Sequence, residues 1–368
     1  MMTDKSAYWD IARKVDQTLQ GAPQKDGDIS KDFVSFLTLI YTPAEAEVAR
    51  HLDNFPQAMT VDQVAEAAGR SPEEVRPLLE AMHAKYALMG GIDGQTLLTP
   101  FYYMNYHQRY PEIREGDLEA IRLYKKFFIE DGFYRRYETS KKGTSFFRTL
   151  PVGRTIESGQ QVLSHEEAKN RIRGLATDTI ALVPCPCRTR LEKLGQRECR
   201  DMPVGYCIIP GPNGRKFIDL GYGKPADKQE AMAYLDEMVD HGCTVNSDNY
   251  RDGDPLVICL CCGCCCSFTR GRTKWDNPNS IMPSNFIPRA DENCVACGVC
   301  VERCPFDALF LDEESNRSTV NPDLCIGCGV CAAGCPTEAL KLHRYERTQT
   351  FEHVLEFALK VIEDNSVD

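Results

Sequence analysis

Residues 294–304 read C-V-A-C-G-V-C-V-E-R-C, followed by Pro305, and residues 325–335 read C-I-G-C-G-V-C-A-A-G-C, followed by Pro336. The runs lie 31 positions apart, and 10 of 18 positions match between 294–311 and 325–342, so the segment is an internal duplication of C-x2-C-x2-C-x3-C-P. Three thiolates spaced by two residues can wrap one face of an iron–sulfur cube, with Gly298 and Gly329 easing the turn. A tetrahedral zinc needs only two C-x2-C pairs. The third cysteine and the terminal Cys-Pro of each repeat exceed that need and point to iron–sulfur chemistry.

The duplicated motif resembles the bacterial two-cluster ferredoxin. That resemblance implies a ferredoxin-like two-cluster domain over 290–345, with each fourth ligand supplied by the other repeat. By it, Cys294, Cys297, Cys300 and Cys335 hold one [4Fe–4S] cluster, and Cys325, Cys328, Cys331 and Cys304 hold the other. Between Cys294 and Cys335, Glu302, Asp307, Asp312, Glu313, Glu314 and Asp323 face only Arg303 and Arg317. Negative surroundings disfavour adding an electron to an already anionic cluster, so low potentials are expected.

Working outward, 19 cysteines occur in all, none before Cys185. Eleven lie between the N-terminal half and the duplication. Cys185, Cys187, Cys199, Cys207, Cys259, Cys261, Cys262, Cys264, Cys265 and Cys266 form a second field, while Cys243 stands alone and reads as structural. Six cysteines within eight residues exceed the ordinary fate of a buried thiol. At least one further iron–sulfur cluster is expected there. Zinc and a redox-active dithiol are the alternatives. The C-x2-C pairs in the dense run are 259/262, 261/264 and 262/265, and adjacent cysteines are expected to serve a site from different directions.

Around this field the texture is α/β. Ser164-His165-Glu166-Glu167 reads as the cap of a helix reaching about Leu175. Thr179–Val183 reads as a buried strand delivering Pro184-Cys185-Pro186-Cys187-Arg188. A helix from about Pro225 to Asp240 precedes a strand Leu256–Ile258, which runs into Cys259-Leu260-Cys261-Cys262-Gly263-Cys264-Cys265-Cys266. Two cysteine-bearing strand ends are placed to converge on one sheet edge. Arg188, Arg270 and Arg272 nearby would either bind a substrate at an open iron or simply offset cluster charge.

Towards the N-terminus, Pro43–Asn54 sets Ala46, Ala49 and Leu52 on one helix side. Thr60–Gln63 and Ser71–Glu74 fit capping boxes, the second with Pro72 at the first helical position. Apolar residues then recur as Val61, Val64, Ala65, Ala68 and as Val75, Leu78, Leu79, Met82. A hairpin is expected within Tyr86–Leu98. Helix, turn, helix and hairpin together resemble a winged helix. Glu73, Glu74 and Glu80 on its second helix would meet phosphates badly, so no nucleic-acid partner is expected. Residues 101–145 carry Tyr102, Tyr103, Tyr106, Tyr110, Tyr124, Tyr134 and Tyr137 among basic residues. They are read as an aromatic helical core ahead of a partner surface. At the other end, Phe351, Val354, Leu355, Ala358 and Ile362 mark a C-terminal amphipathic helix.

The whole is therefore read as a multi-domain α+β chain. A helical and winged-helix-like region covers 1–100, an aromatic-rich helical segment 101–145, and an α/β cysteine-rich iron–sulfur domain 146–268. A linker (269–289), the ferredoxin domain (290–345) and the C-terminal helix (346–368) follow. Residues 33–345 loosely resemble a family of 4Fe–4S dicluster-binding proteins of anaerobes, through the PCPCR motif at 184–188 and the C-x-C-C-G-C-C motif at 259–265. That resemblance implies redox work without naming a reaction, and Cys243 falls outside its pattern.

Composition narrows the function. With 368 residues and a formal charge of −11, the chain is too long for a small disulfide scaffold and too acidic for a general nucleic-acid or anionic-membrane binder. No apolar run reaches a membrane span and no apolar leader opens the chain, so a reducing cytoplasm is expected. No G-x-G-x-x-G follows a strand, hence no flavin or NAD signature. No histidine pair has ligand spacing and no nucleophile triad is evident. The leading expectation is an electron-transfer protein or redox-enzyme subunit that passes low-potential single electrons to a partner redox protein. An oxidoreductase with a catalytic central site and a redox-sensing winged-helix regulator are the alternatives.

Overall fold

The computed structural model describes residues 5–98, 103, 115–347 and 350–366. The chain divides into two units, 1–137 and 138–368. Among the described residues no helix is long and apolar enough to cross a membrane.

The first unit contains α1 (Ser6–Asp16), a small hairpin β1–β2 (Gln24–Lys25, Asp28–Ile29), α2 (Lys31–Ile40), α3 (Pro43–Ala49), α4 (Val61–Ala68) and α5 (Pro72–Ala84). The hairpin β3–β4 (Leu88–Gly91, Gly94–Leu97) comes next, then α6 (Glu115–Lys125) and α7 (Tyr134–Glu138). Local chemistry starts these helices. The Thr60 amide donates to Gln63 Oε1 (2.8 Å) and the Gln63 amide returns a bond to Thr60 Oγ1 (3.3 Å), while the Ser71 amide donates to Glu74 Oε2 (3.0 Å). The helix expected over Pro43–Asn54 stops at Ala49, although Ala46, Ala49 and Leu52 are all fully buried.

Aromatic rings build this unit's core. Phe33 meets Tyr103 edge to face at 5.5 Å, Phe36 meets Phe127 at 5.4 Å, and Tyr124 stacks on Phe128 at 4.9 Å. Tyr134 and Tyr137 are buried as well. The described tyrosines of the aromatic segment are thus core. Tyr102, Tyr106 and Tyr110 lie outside the described residues.

The second unit is organised by a six-stranded sheet in the order β5-β9-β10-β7-β6-β8. Its strands are Phe147–Thr149, Ile180–Pro184, Tyr206–Pro210, Lys224–Ala226, Thr244–Asp248 and Ile258–Cys261, numbered β5 to β10. Every pairing is antiparallel, which corrects the α/β reading of 146–268. The apolar strands are buried by α8 (Ala168–Arg173) and α11 (Lys228–Asp240) in one cluster and by α10 (Gly211–Asp219) against β6 and β7, while α9 (Pro186–Lys193) follows β6. Three local expectations also shift. Glu167, not Ser164, caps α8, accepting from the Lys169 and Asn170 amides. Asp227 caps α11, so Pro225 falls in a strand. The cysteine-bearing strand is Ile258–Cys261 rather than Leu256–Ile258, because its register pairs Ile258 with Ser247 and Cys261 with Thr244.

After α12 (Ser267–Lys274) the duplicated segment folds as two β–loop–helix–β repeats. The first is β11 (Phe286–Ala290), α13 (Val299–Glu302) and β12 (Leu309–Asp312); the second is β13 (Arg317–Val320), α14 (Val330–Ala333) and β14 (Leu340–Arg344). β11 pairs with β14 and β12 with β13, so each two-stranded sheet joins the repeats. The duplication extends to the backbone. Ala296 and Gly327, Gly298 and Gly329, and Asp307 and Glu338 are three equivalent pairs, all at positive φ.

The C-terminal helix α15 (Val354–Asn365) inverts its expected face. Val361 and Asp364 are buried and Phe357 packs edge to face on Phe146 (5.6 Å), while Val354, Leu355 and Ile362 are exposed. The inward face is selected by Asp364, whose carboxylate accepts from Ser140 and Thr144 hydroxyls at 2.5 Å each and pairs with Lys360 at 2.9 Å. A carboxylate so held outweighs an aliphatic stripe that has nothing to pack on.

Candidate metal centres

The duplicated segment holds two small cavities. Cys294, Cys297, Cys300 and Cys335 line one; Cys304, Cys325, Cys328 and Cys331 line the other. Each set thus contains three cysteines of one repeat and the last of the other. Leu309 and Leu340, equivalent in the two repeats, form a buried apolar cluster with Cys300 and Cys331, one cysteine from each set. The first set is the outer one: Cys297 is exposed, whereas Cys325 and Cys331 of the second are buried.

The donor chemistry of both sets fits iron–sulfur cubes. Amides of Ala308 and Gly327 point at Cys304 and Cys325 sulfurs (3.4 Å each), and Cys300 lies 3.1 Å from Ser318 Oγ. Such bonds stabilise negative charge on sulfur. Burial pushes the Cys328 thiol up to about 12 and holds Cys331 well above the ordinary thiol value, so metal binding there must displace protons. Two arginines sit by the inner set. Arg347 donates to the Cys325 carbonyl (2.8 Å) and the Ser284 carbonyl (2.8 Å), and Arg272 to the Asp323 carbonyl (2.8 Å).

Sheet geometry assembles the central field. β6 and β10 flank β7 antiparallel, so both deliver their C-terminal ends to the edge where β7 begins. Val183 pairs with Cys207 and Ile258 with Ile208, which sets Cys185, Cys207 and Cys259 side by side. Alternation along β10 sends Cys259 and Cys261 to one face. Cys185 precedes α9 and Cys266 precedes α12, so two helix N-termini close the edge.

Ten thiols separate there into two sets. Six lie as electrostatic neighbours, each acting on the ionisation of the next in the order Cys185, Cys187, Cys266, Cys261, Cys259, Cys207 and back to Cys185. Bonds donated by Cys185 drive Cys187 and Cys207 towards thiolate, and the bond from Cys259 brings Cys261 down to about 6. The other four, Cys199, Cys262, Cys264 and Cys265, have all their sulfurs within 4.8 Å of one another. Four of those separations are 3.8 Å (199–262), 3.7 Å (199–265), 3.9 Å (262–264) and 3.5 Å (264–265).

The chain order conceals this division. Neighbours 261 and 262 go to different sets, as do 265 and 266, but 264 and 265 share one. Of the three C-x2-C pairs in the dense run, only 262/265 lies within a set. Cys243 belongs to neither: it is fully buried in the sheet's apolar core, 3.4 Å from Met202 Sδ.

Arg188 occupies the space between the sets. It is fully buried; Nη1 donates to the Leu260 carbonyl (2.8 Å) and lies 3.6 Å from Cys243 Sγ, and Nε donates to the Val204 carbonyl. Burial opposes its charge, but Cys185, Cys243, Cys262 and Cys207 outweigh that and hold it protonated. Its donors are committed to backbone carbonyls and its charge faces the thiols, which fits the charge-offsetting reading of Arg188. Arg270 lies over the Trp275 ring at 4.4 Å.

Sequence reasoning missed Gly263. A Cβ added there would lie 2.8 Å from Pro305 Cβ, so the central loop touches the residue that follows Cys304. It also missed Arg303, which reaches from the first repeat to the Val239 and Asp240 carbonyls that end α11 (3.3 and 3.2 Å).

Residues 293–339 match the family described as a 4Fe-4S dicluster domain. No curated protein and no solved structure matches the chain. The ferredoxin-like segment and the thiol sets together support iron–sulfur binding and electron transfer.

Proposed function

We propose that the chain is an electron-transfer protein, or the electron-carrying subunit of a redox enzyme, in which low-potential single electrons enter at the outer ferredoxin set and continue through the inner set to the central field. The observation that carries this reading is the contact of Gly263 with Pro305, which places the central loop directly against the inner set. Bound clusters supply one-electron storage; the chain supplies the route. Cys297 and the 62% exposed Val295 offer the outer set to a partner. Leu309 and Leu340 pack an apolar cluster against Cys300 and Cys331 of the two sets, and Arg303 pins the first repeat to α11.

The partner is a redox protein docking on the exposed apolar residues of α15 or on the first unit. There α4, α5 and the β3–β4 hairpin have the order of a winged helix. Glu73, Glu74 and Glu80 are exposed on α5, which favours a basic protein over DNA. The resemblance to 4Fe–4S proteins of anaerobes supports the same assignment. Three clusters would take the formal charge from −11 to about −17, which also favours a basic partner.

Anaerobic purification with iron and sulfide counts, followed by an EPR-monitored potentiometric titration, tests the proposal. The ferredoxin pair alone gives about eight irons, and the central field adds to that. Reducible signals at ordinary low ferredoxin potentials are expected, with no complex formed on duplex DNA at low salt. Midpoints well above that range would sink the low-potential relay. Gly263→Val tests the route itself. The added methyls must push against the rigid Pro305 ring, so electron exchange between the ferredoxin pair and the central field should slow several-fold in stopped flow, with both metal counts unchanged.

A further inference from the structure

Taking the central field as metal-bearing, as in the reading above, we infer that its ten cysteines build two different inorganic centres. Cys199, Cys262, Cys264 and Cys265 form a tetrahedral site for one divalent ion, zinc or iron. Cys185, Cys187, Cys207, Cys259, Cys261 and Cys266 form a six-thiolate site for a polynuclear iron–sulfur core larger than one cube.

The compact set has the dimensions of a single-ion site. Metal–sulfur bonds of about 2.3 Å in a tetrahedron place the sulfurs about 3.8 Å apart. The four measured separations run from 3.5 to 3.9 Å. A cube behaves otherwise, because each thiolate holds a different iron and the body of the cube keeps the sulfurs apart. The same structure supplies the contrast: among the described residues, no three ferredoxin cysteines bring their sulfurs within 4.8 Å of one another, whereas all four of the compact set do.

The ring is a different object. Strand pairing sets Cys185, Cys207 and Cys259 side by side at the sheet edge, yet no three of the six sulfurs lie mutually within 4.8 Å, so the six surround a space rather than a point. Charge makes the same distinction. Six thiolates around one divalent ion would leave a large negative charge in a buried site, which is prohibitively costly. A multi-iron core offsets it, helped by Arg188 between the sets and by the N-termini of α9 and α12, which open at Cys185 and Cys266. One cube offers one terminal thiolate position per iron, four in all. Six ligands therefore call for a larger core or for thiolates that bridge irons.

Full-length protein prepared anaerobically is analysed for zinc, iron and sulfide per chain, alongside Cys264→Ser and Cys261→Ser. Cys264→Ser should lose one metal ion and no sulfide. Cys261→Ser should lose several irons with their sulfide and keep the single ion. Reconstitution of the wild-type chain with cobalt(II) should give the visible bands of a tetrahedral tetrathiolate, absent in Cys264→Ser; this readout does not depend on iron loading. Loss of about four irons and four sulfides from Cys264→Ser, or the same loss from both variants, would overturn the inference. EPR of the ferredoxin pair is followed throughout. Its persistence in both variants shows that the chain is folded, and its absence from the wild type would defeat the electron-transfer reading while leaving the cobalt result to decide the single-ion site.

Discussion

Cys304→Ser is expected to abolish the cluster of the second repeat and spare that of its own. Cys304 ends the first motif, yet it lines the cavity of Cys325, Cys328 and Cys331. Cys335 is its mirror image, lining the cavity of Cys294, Cys297 and Cys300. Each single change should remove about four irons and four sulfides per chain. The pattern of likenesses carries the test. Cys304→Ser should match Cys325→Ser in its residual EPR spectrum, and Cys335→Ser should match Cys297→Ser. In all four the interaction between two reduced clusters should vanish, leaving one isolated signal. A Cys304→Ser protein that instead resembled Cys297→Ser would overturn the exchange of ligands between repeats. The surviving cluster of Cys304→Ser should also be the one more open to attack by oxidant and chelator, because Cys297 is exposed and Cys325 and Cys331 are buried.

The three-cysteine core of each repeat is legible in the chain because its grammar is local, while the exchange of the fourth ligand is what the resemblance to two-cluster ferredoxins implies. Spacing alone sets Cys294, Cys297 and Cys300 around one point, and a 31-residue repeat supplies the rest. The capping boxes at Thr60 and Ser71 were legible for the same reason, since a cap is written within four residues. The central field is written differently. Cys207 reaches Cys185 and Cys259 only through the pairing of three strands, and strand pairing is not a property of any short window. One signal was available there: Cys259 and Cys261 alternate along a strand and so must share a face. A strand read over Leu256–Ile258 ends before both cysteines and hides it.

The C-terminal helix failed for another reason. Its aliphatic stripe of Val354, Leu355 and Ile362 is more obvious than the single Asp364 that docks it. Hydrophobic periodicity measures what a helix can bury, and the buried face is chosen by the surface that receives it. Here that surface presents the Ser140 and Thr144 hydroxyls and the ring of Phe146. The arginines of the central field were equally ambiguous from sequence. A cation beside cysteines reads the same whether it binds substrate, offsets charge or sits in water, and only burial separates the three.

Burial makes Arg188 the side chain whose loss should be felt most widely. Arg188→Leu removes the buried cation between the thiol sets and strips the Leu260 and Val204 carbonyls of their donor. Each orphaned buried carbonyl costs about 1–3 kcal/mol, and loss of one partner from a buried charge cluster costs about 3–5 kcal/mol. For a unit of this size the thermal midpoint should fall by on the order of 10 °C. The metal content should fall too, because anionic cores would then sit uncompensated in an apolar surround. Arg188→Lys separates the two contributions. It keeps the charge but not the planar fork that reaches two carbonyls at once. It should therefore recover much of the central metal while recovering less of the thermal stability. The ferredoxin clusters should persist in both variants, because their ligands come from the repeats and their nearby cations are Arg347 and Arg272. Full central metal in Arg188→Leu would show that the guanidinium serves packing alone. Loss of the ferredoxin signals as well would show that the sheet edge and the repeats fold as one cooperative piece, with Arg303 and the Gly263–Pro305 contact as the seams that join them.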